Sequence, residues 1–174
     1  MSENKHPLTT LHHLLDYDAG KFTSAEIQLK KTLPGWINKT GSLMLKTVLQ
    51  KYLDFVEQHI TKLDVFFEQE NIKAISLNNR IMNAFIDETE EKLLACSDPE
   101  IRDACLLACI QTINHYKIST YGTAAAFART LEMEKHAAIF YEAEENEKQI
   151  DSRLSQMAEF EINKKAKTPI LLPC

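Results

Sequence analysis

The stretch Ser97–Leu131, SDPEIRDACLLACIQTINHYKISTYGTAAAFARTL, decides the fold. Its opening carries a helix-start signature: Ser97 as N-cap, Pro99 at the second helical position, and Glu100 at the third, completing a capping box. Beyond it Leu106, Ile110, Ile113, Lys117, Tyr121, Ala124 and Ala128 recur every three or four residues, the spacing of one helix face. The pattern predicts a single helix to about Leu131.

Caps and breakers mark four further helices on either side. The first begins after Thr9 or Thr10, carries Leu11, Leu15, Phe22, Leu29 and Leu33, meets Pro34, and closes at Gly41. Ser42 caps the second, which reaches about Glu70 with Leu45, Leu49, Leu53, Val56, Ile60, Leu63 and Phe67 on one side. Ser76 caps a third and shorter one to about Cys96, with Ile81, Phe85 and Leu93 or Leu94 facing in. The last runs from about Glu134 to Asn163, with Phe140, Ala143, Glu147, Ile150, Leu154 and Met157 in phase. Four of the five exceed roughly 25 residues, or about 40 Å each. Such lengths suit an all-α, ferritin-like up-down four-helix bundle with one extra short helix, in which a lengthy connection separates two helix hairpins. Residues 8–165 are expected to form this single domain, with a flexible tail over 1–7 and an extended one over 166–174.

Composition excludes much else. The chain has 174 residues and a net charge of −5, with only 4 Gly and 5 Pro, too few turn formers for a sandwich or barrel. Mild acidity speaks against nucleic acid as a partner, because phosphate binding needs clustered Lys and Arg. No apolar run approaches the ~18 residues of a membrane span, and the start lacks a signal peptide's apolar stretch, so a cytoplasmic protein without a membrane partner is expected. The four cysteines, Cys96, Cys105, Cys109 and Cys174, form neither a CxxC pair nor zinc-finger spacing. Cys105 and Cys109, one turn apart, read as small apolar core residues. Gly-rich phosphate loops, nucleophile elbows and paired acid/base signatures are absent, which leaves ordinary hydrolase or transferase chemistry without support; enzyme status stays open, with a non-enzyme favoured.

The informative anomaly is charge where periodicity demands apolar residues. Glu26 lies between Phe22 and Leu29, His59 between Phe55 and Leu63, Lys117 between Ile113 and Tyr121, and Glu147 between Ala143 and Ile150, with Asp151 a turn further on. An unpaired charge in an apolar core costs several kcal/mol or shifts its pKa until it is neutral. These groups are therefore expected to meet in one layer. Inward carboxylates and imidazoles in a bundle are also ingredients of a two-metal site, which wants a Glu from each of two helices and a Glu-x-x-His pair from each of the others. Here the spacing around His59 and Glu147 gives no such pair. Lys117 offers an ammonium, one positive charge with three donors, in a metal's place.

Several of these residues carry a likeness. Ser24-Ala25-Glu26-Ile27-Gln28-Leu29, His115-Tyr116-Lys117-Ile118 with Tyr121-Gly122-Thr123, the acidic run through Glu145, Glu147, Lys148, Asp151 and Leu154, and Arg102-Asp103-Ala104 together resemble the ferritin-like bacterial stress proteins typified by YciF and YciE. The resemblance spans roughly residues 8–165. It implies a four-helix bundle plus a short helix, a homodimer, and in some members a metal site between helices. Glu26, Glu147 and Asp151 match acidic positions of that pattern and His115 matches its His. Asn114 and Lys117 replace two glutamates, and Tyr52-Leu53-Asp54-Phe55-Val56 replaces the family's HLEET.

Two readings follow. In the first, favoured one, the chain is a non-enzymatic, stress-related bundle without a cofactor, whose metal site has given way to a buried network of Glu26, Lys117, Glu147 and Asp151. In the second, Glu26, His59, Glu147 and Asp151 form a reduced ligand set for iron or manganese, handling iron or oxidants. His12 and His13 read as surface positions, Gly122 as a packing notch, and Trp36, Phe66 and Phe67 as candidates for a dimer contact.

Overall fold

The computed structural model describes residues 7–72 and 77–167. Five helices follow in order: α1 (Leu11–Lys39), α2 (Leu43–Gln69), α3 (Arg80–Ala95), α4 (Pro99–Thr130) and α5 (Glu134–Met157). A π-helical turn, Ala158–Ile162, and a last α-turn, α6 (Asn163–Ala166), continue α5. The expected tails lie outside the described residues except for Pro7, Ala166 and Lys167, and Ala166 is helical rather than extended. Among the described residues no helix is long and apolar enough to cross a membrane.

Side-chain caps start four helices: Thr10, Ser42, Asn79 and Asp98 each accept from backbone amides of the first turn. Two starts differ from expectation. Asp98, not Ser97, caps α4, accepting from the amides of Glu100 and Ile101; Pro99 thereby takes the first helical position, where its missing N–H leaves no carbonyl without a partner. The Ser76 cap lies outside the described residues, and α3 starts from Asn79 instead. With that start the inward face of α3 is Met82, Thr89 and Leu93, while Ile81 is exposed and Leu94 is 84% exposed.

Contacts at both ends fix the helix directions. The tight turn after α1 makes α1 and α2 antiparallel, and its Gly41 and Ser42 amides donate to the buried Asp103 carboxylate, 2.9 and 2.7 Å, on the first turns of α4. Asn79, opening α3, donates to Ser24 and Lys21 of α1, whereas Glu90, near the end of α3, accepts from Trp36 and Lys39 at the far end of α1. The short α3 thus carries the chain back along the bundle, and α4 runs parallel to α2. α5 returns antiparallel to α4. The four long helices form a ring, α1–α2–α5–α4, with α3 packed outside on α1 and α4. This is the expected four-helix bundle with a crossover helix.

The core is in two parts. One holds Leu29, Leu33, Trp36, Leu45, Val56, Ile113 and Leu154 among others. The second, toward the opposite end, holds Leu15, Phe22, Leu63, Phe66, Phe67, Tyr121 and Phe140. Trp36, Phe66 and Phe67 are therefore core residues, not dimer contacts.

A buried charged layer as the candidate functional site

On every long helix the boundary between the two apolar parts falls at an ionisable residue. α1 passes from Phe22 to Leu29 through Glu26, and α2 from Val56 to Leu63 through His59. α4 passes from Ile113 to Tyr121 through Lys117, and α5 from Ala143 to Ile150 through Glu147. All four side chains are at most 2% exposed. The helices run in different directions, yet the in-phase residues meet at one height because each sits near its helix's middle.

Lys117 Nζ lies 2.9 Å from Glu26 Oε2 and 2.5 Å from Glu147 Oε1. Its third direction meets Tyr52, whose hydroxyl is 3.4 Å away and whose ring centre is 4.8 Å away. The remaining carboxylate oxygens take neutral donors. Tyr121 donates to Glu26 Oε1 at 2.5 Å, and Asn114 donates to Glu147 Oε2 at 2.5 Å. His59 Nδ1 lies 3.0 Å from Glu26 Oε1 and 3.7 Å from Glu147 Oε1. The Asn146 amide lies 3.3 Å from His59 Nε2 and donates to it, so a neutral imidazole with its proton on Nδ1 has both nitrogens partnered. The two oxygens that no neutral donor reaches, Glu26 Oε2 and Glu147 Oε1, are the two that contact the ammonium. The Asn114 carbonyl oxygen is buried without a partner.

Burial pushes the Glu26 carboxyl up, but the Lys117 ammonium and the hydrogen bonds from His59 and Tyr121 outweigh it and hold it at about 2. Burial, reinforced by the neighbouring Glu26 charge, leaves Glu147 raised despite Lys117. For Lys117 burial favours the neutral amine, yet the two carboxylates overcome it and keep the ammonium more firmly protonated than usual. Burial and the same carboxylates push both Tyr52 and Tyr121 well above the ordinary phenol range, so both stay neutral, Tyr121 donating to Glu26 and Tyr52 accepting from Lys117.

Of the residues expected here, Glu26, His59, Lys117 and Glu147 come together and Asp151 does not. Four residues beyond Glu147 is one turn plus about 40° of rotation and about 6 Å of rise. That carries Asp151 out of the layer to the α4–α5 edge, where it faces His115 at 3.2 Å and Gln111 at 3.4 Å. His115 is 68% exposed there. Sequence reasoning missed Tyr52, Tyr121 and Asn146 as members of the layer. Tyr121 was in phase, but a phenol on an apolar stripe reads as core. Tyr52 lay beside the chosen stripe, because α2 buries Val48, Tyr52 and Phe55 where Leu53 and Ile60 were expected to face fully inward.

Among the described residues, Glu26, His59 and Glu147 are the one group of three metal-type ligands whose donor atoms all lie within 4.8 Å of one another. A metal ion does not fit them as they stand. Its charge would lie beside the Lys117 ammonium and compete for the same two oxygens. Three protein ligands are also half of what a two-metal site draws from four helices. The three cysteines among the described residues, Cys96, Cys105 and Cys109, are free. Burial and the neighbouring Cys109 and Cys96 push the Cys105 thiol up to about 12, which suits an inert residue.

Residues 10–167 match the family described as "Domain of unknown function (DUF892)". Protein YciF of Escherichia coli (strain K12) is 33% identical over 144 residues, 82% of this chain and 87% of its own length. The crystal structure of the E. coli stress protein YciF superposes with a TM-score of 0.84 at 29% identity, covering 92% of this chain and 100% of that one. YcfI of Rhodopseudomonas palustris superposes equally well, with a TM-score of 0.84 at 25% identity over 88% of this chain and 98% of that one.

Proposed function

The chain belongs to the DUF892 family, and from that premise we propose that it is a non-enzymatic, ferritin-like bundle protein of the YciF type, related to stress responses, in which a lysine ammonium has taken over the place of a metal centre. One observation carries this reading: Lys117 Nζ bridges Glu26 and Glu147 from opposite sides of the bundle, with Tyr52 on its third side. A fixed ammonium neutralises carboxylate charge as a metal would, but it offers no open coordination position to oxygen or peroxide and no change of oxidation state. The role that follows is structural, with the layer setting helix register. A cytoplasmic homodimer without nucleic-acid or membrane partners completes the proposal. The net charge of −5 and the exposed apolar side chains Leu43, Leu94 and Phe160 support it. A single-chain mass by sedimentation would remove the dimer from it.

The second reading, a divergent iron or manganese carboxylate protein handling iron or oxidants, draws its support from the convergence of Glu26, His59 and Glu147. Aerobic addition of ferrous iron to protein purified without chelator separates the two. We expect iron oxidation no faster than in buffer, and no iron or manganese whose retention depends on Glu26 or Glu147. About two iron or manganese atoms per chain, lost in Glu147→Gln, would overturn the metal-free reading.

A further inference from the structure

A second set of ligand-type side chains meets far from the central layer, where α1 begins, α2 ends and α5 begins. His12 Nδ1 lies 3.1 Å from Asp16 Oδ2, and its Nε2 lies 3.3 Å from Glu70 Oε2. His136 Nδ1 lies 3.4 Å from Glu70 Oε1, and its Nε2 lies 3.1 Å from Gln69 Oε1. All four ring nitrogens therefore face oxygen acceptors. A neutral imidazole has one N–H and one lone pair. Two neutral rings thus supply two protons to four acceptor contacts, three of them carboxylate, and at least one of the two remaining lone pairs points at a carboxylate. Asp16 Oδ1 is in addition buried without a partner. The set is short of two positive charges, and a divalent cation supplies both in one atom.

We propose that His12, Glu70 and His136 form a binding site for a divalent transition-metal ion of the zinc type. With His12 Nδ1–H donating to Asp16 and His136 Nε2–H donating to Gln69, the bare nitrogens are His12 Nε2 and His136 Nδ1. Each then faces one oxygen of the same Glu70 carboxylate. Ligating histidines characteristically give their second N–H to a carboxylate or carbonyl oxygen, which fixes the tautomer and ring plane. Two imidazoles and a carboxylate suit zinc and its neighbours, and leave a fourth position for water. His136 is the anchored ligand: it is nearly buried and edge-on to Phe66 at 4.9 Å between ring centres. The three donor atoms do not yet lie within 4.8 Å of one another, unlike those of the central layer. His12, 42% exposed in the first turn of α1, is the ring that swings to close the site.

Titration of the full, tag-free chain with zinc chloride by calorimetry tests this, with cobalt(II) as a spectroscopic stand-in. We expect one zinc per chain, affinity weakened by at least about tenfold in His12→Ala and in Glu70→Gln, and no change when Cys96, Cys105 and Cys109 are all serine. The cobalt form should show d–d bands without thiolate charge transfer. Circular dichroism checks the fold of each variant, and the exposed His12 decides the matter if Glu70→Gln unfolds. No binding heat, binding unchanged in His12→Ala, or binding lost in the serine variant overturns the proposal. Zinc retained in His12→Ala but lost in Glu26→Gln would instead place the ion in the central layer.

Discussion

An ammonium ion held between two carboxylates differs from a metal ion in one respect that can be measured: it belongs to the chain and is deleted by a single substitution. Lys117→Met keeps most of the side-chain volume and removes the charge. It leaves Glu26 Oε2 and Glu147 Oε1 buried with no donor within reach. Breaking a buried ion pair by removing one partner typically costs about 3–5 kcal/mol. We expect a loss of that size in the urea unfolding free energy of Lys117→Met, and an unchanged midpoint would mean that the amine carries no charge in the layer. At this scale the sequence was legible where a polar residue replaced an apolar one in phase, as at Glu26, His59, Lys117 and Glu147. Asp151 misled because a four-residue step holds a residue on the same stripe only approximately. His12, read as a surface position, draws its meaning from Glu70, 58 residues away.

Three of the long helices end or continue differently from what their breakers predict. α2 and α4 stop without glycine: Asn71 and Glu132 take left-handed φ values of 52° and 60°. The next amides, of Ile72 and Met133, then bond back to Phe67 and Ala128. Such a stop closes the last turn at the expense of backbone strain, and no glycine marks it in the sequence. α1 runs through Pro34 to Lys39, so the proline interrupts a hydrogen bond without ending the helix. Directly after it Gly35 is exposed, and a Cβ there would meet nothing within 4 Å. Gly35→Ala should therefore raise stability by about 0.5–1 kcal/mol, seen as a higher Tm, since the backbone freedom lost on folding is smaller and no contact opposes it. Gly122 contrasts with it. A Cβ there would come within 3.1 Å of the Glu144 carboxylate, which identifies the notch expected on α4 and what fills it.

For the molecule as a whole the charged layer divides one bundle into two apolar blocks, and stability should depend on pH through that layer. Glu26 sits at about 2 in the folded chain against 4.5 as its ordinary value. A carboxyl lowered on folding stabilises fully above its unfolded value and stops doing so as pH falls through the folded one. The stabilisation from Glu26 is therefore lost between pH 4.5 and about 2. Glu147, raised by burial, acts in the opposite sense, because its protonation in acid relieves a buried charge. Lys117, raised, stabilises below pH 10.5 and ceases to as pH rises through its folded value above that. The urea midpoint of the protein should fall across the acid window, and Glu26→Gln should be less stable at neutral pH but flatter there. Equal acid slopes for both would show that Glu26 does not carry the titration.

The sequence by itself determined the helical class, the number and lengths of the long helices, and, Asp151 apart, which ionisable residue on each lies inward. Those are local properties, set by caps and by a period that any helix imposes on its own residues. Only the tertiary structure decided which charges face each other, because antiparallel and parallel neighbours bring together residues tens of positions apart. Packing put Lys117 between Glu26 and Glu147, moved Asp151 to the rim beside His115, and joined His12 to Glu70 and His136 at the far end of the bundle.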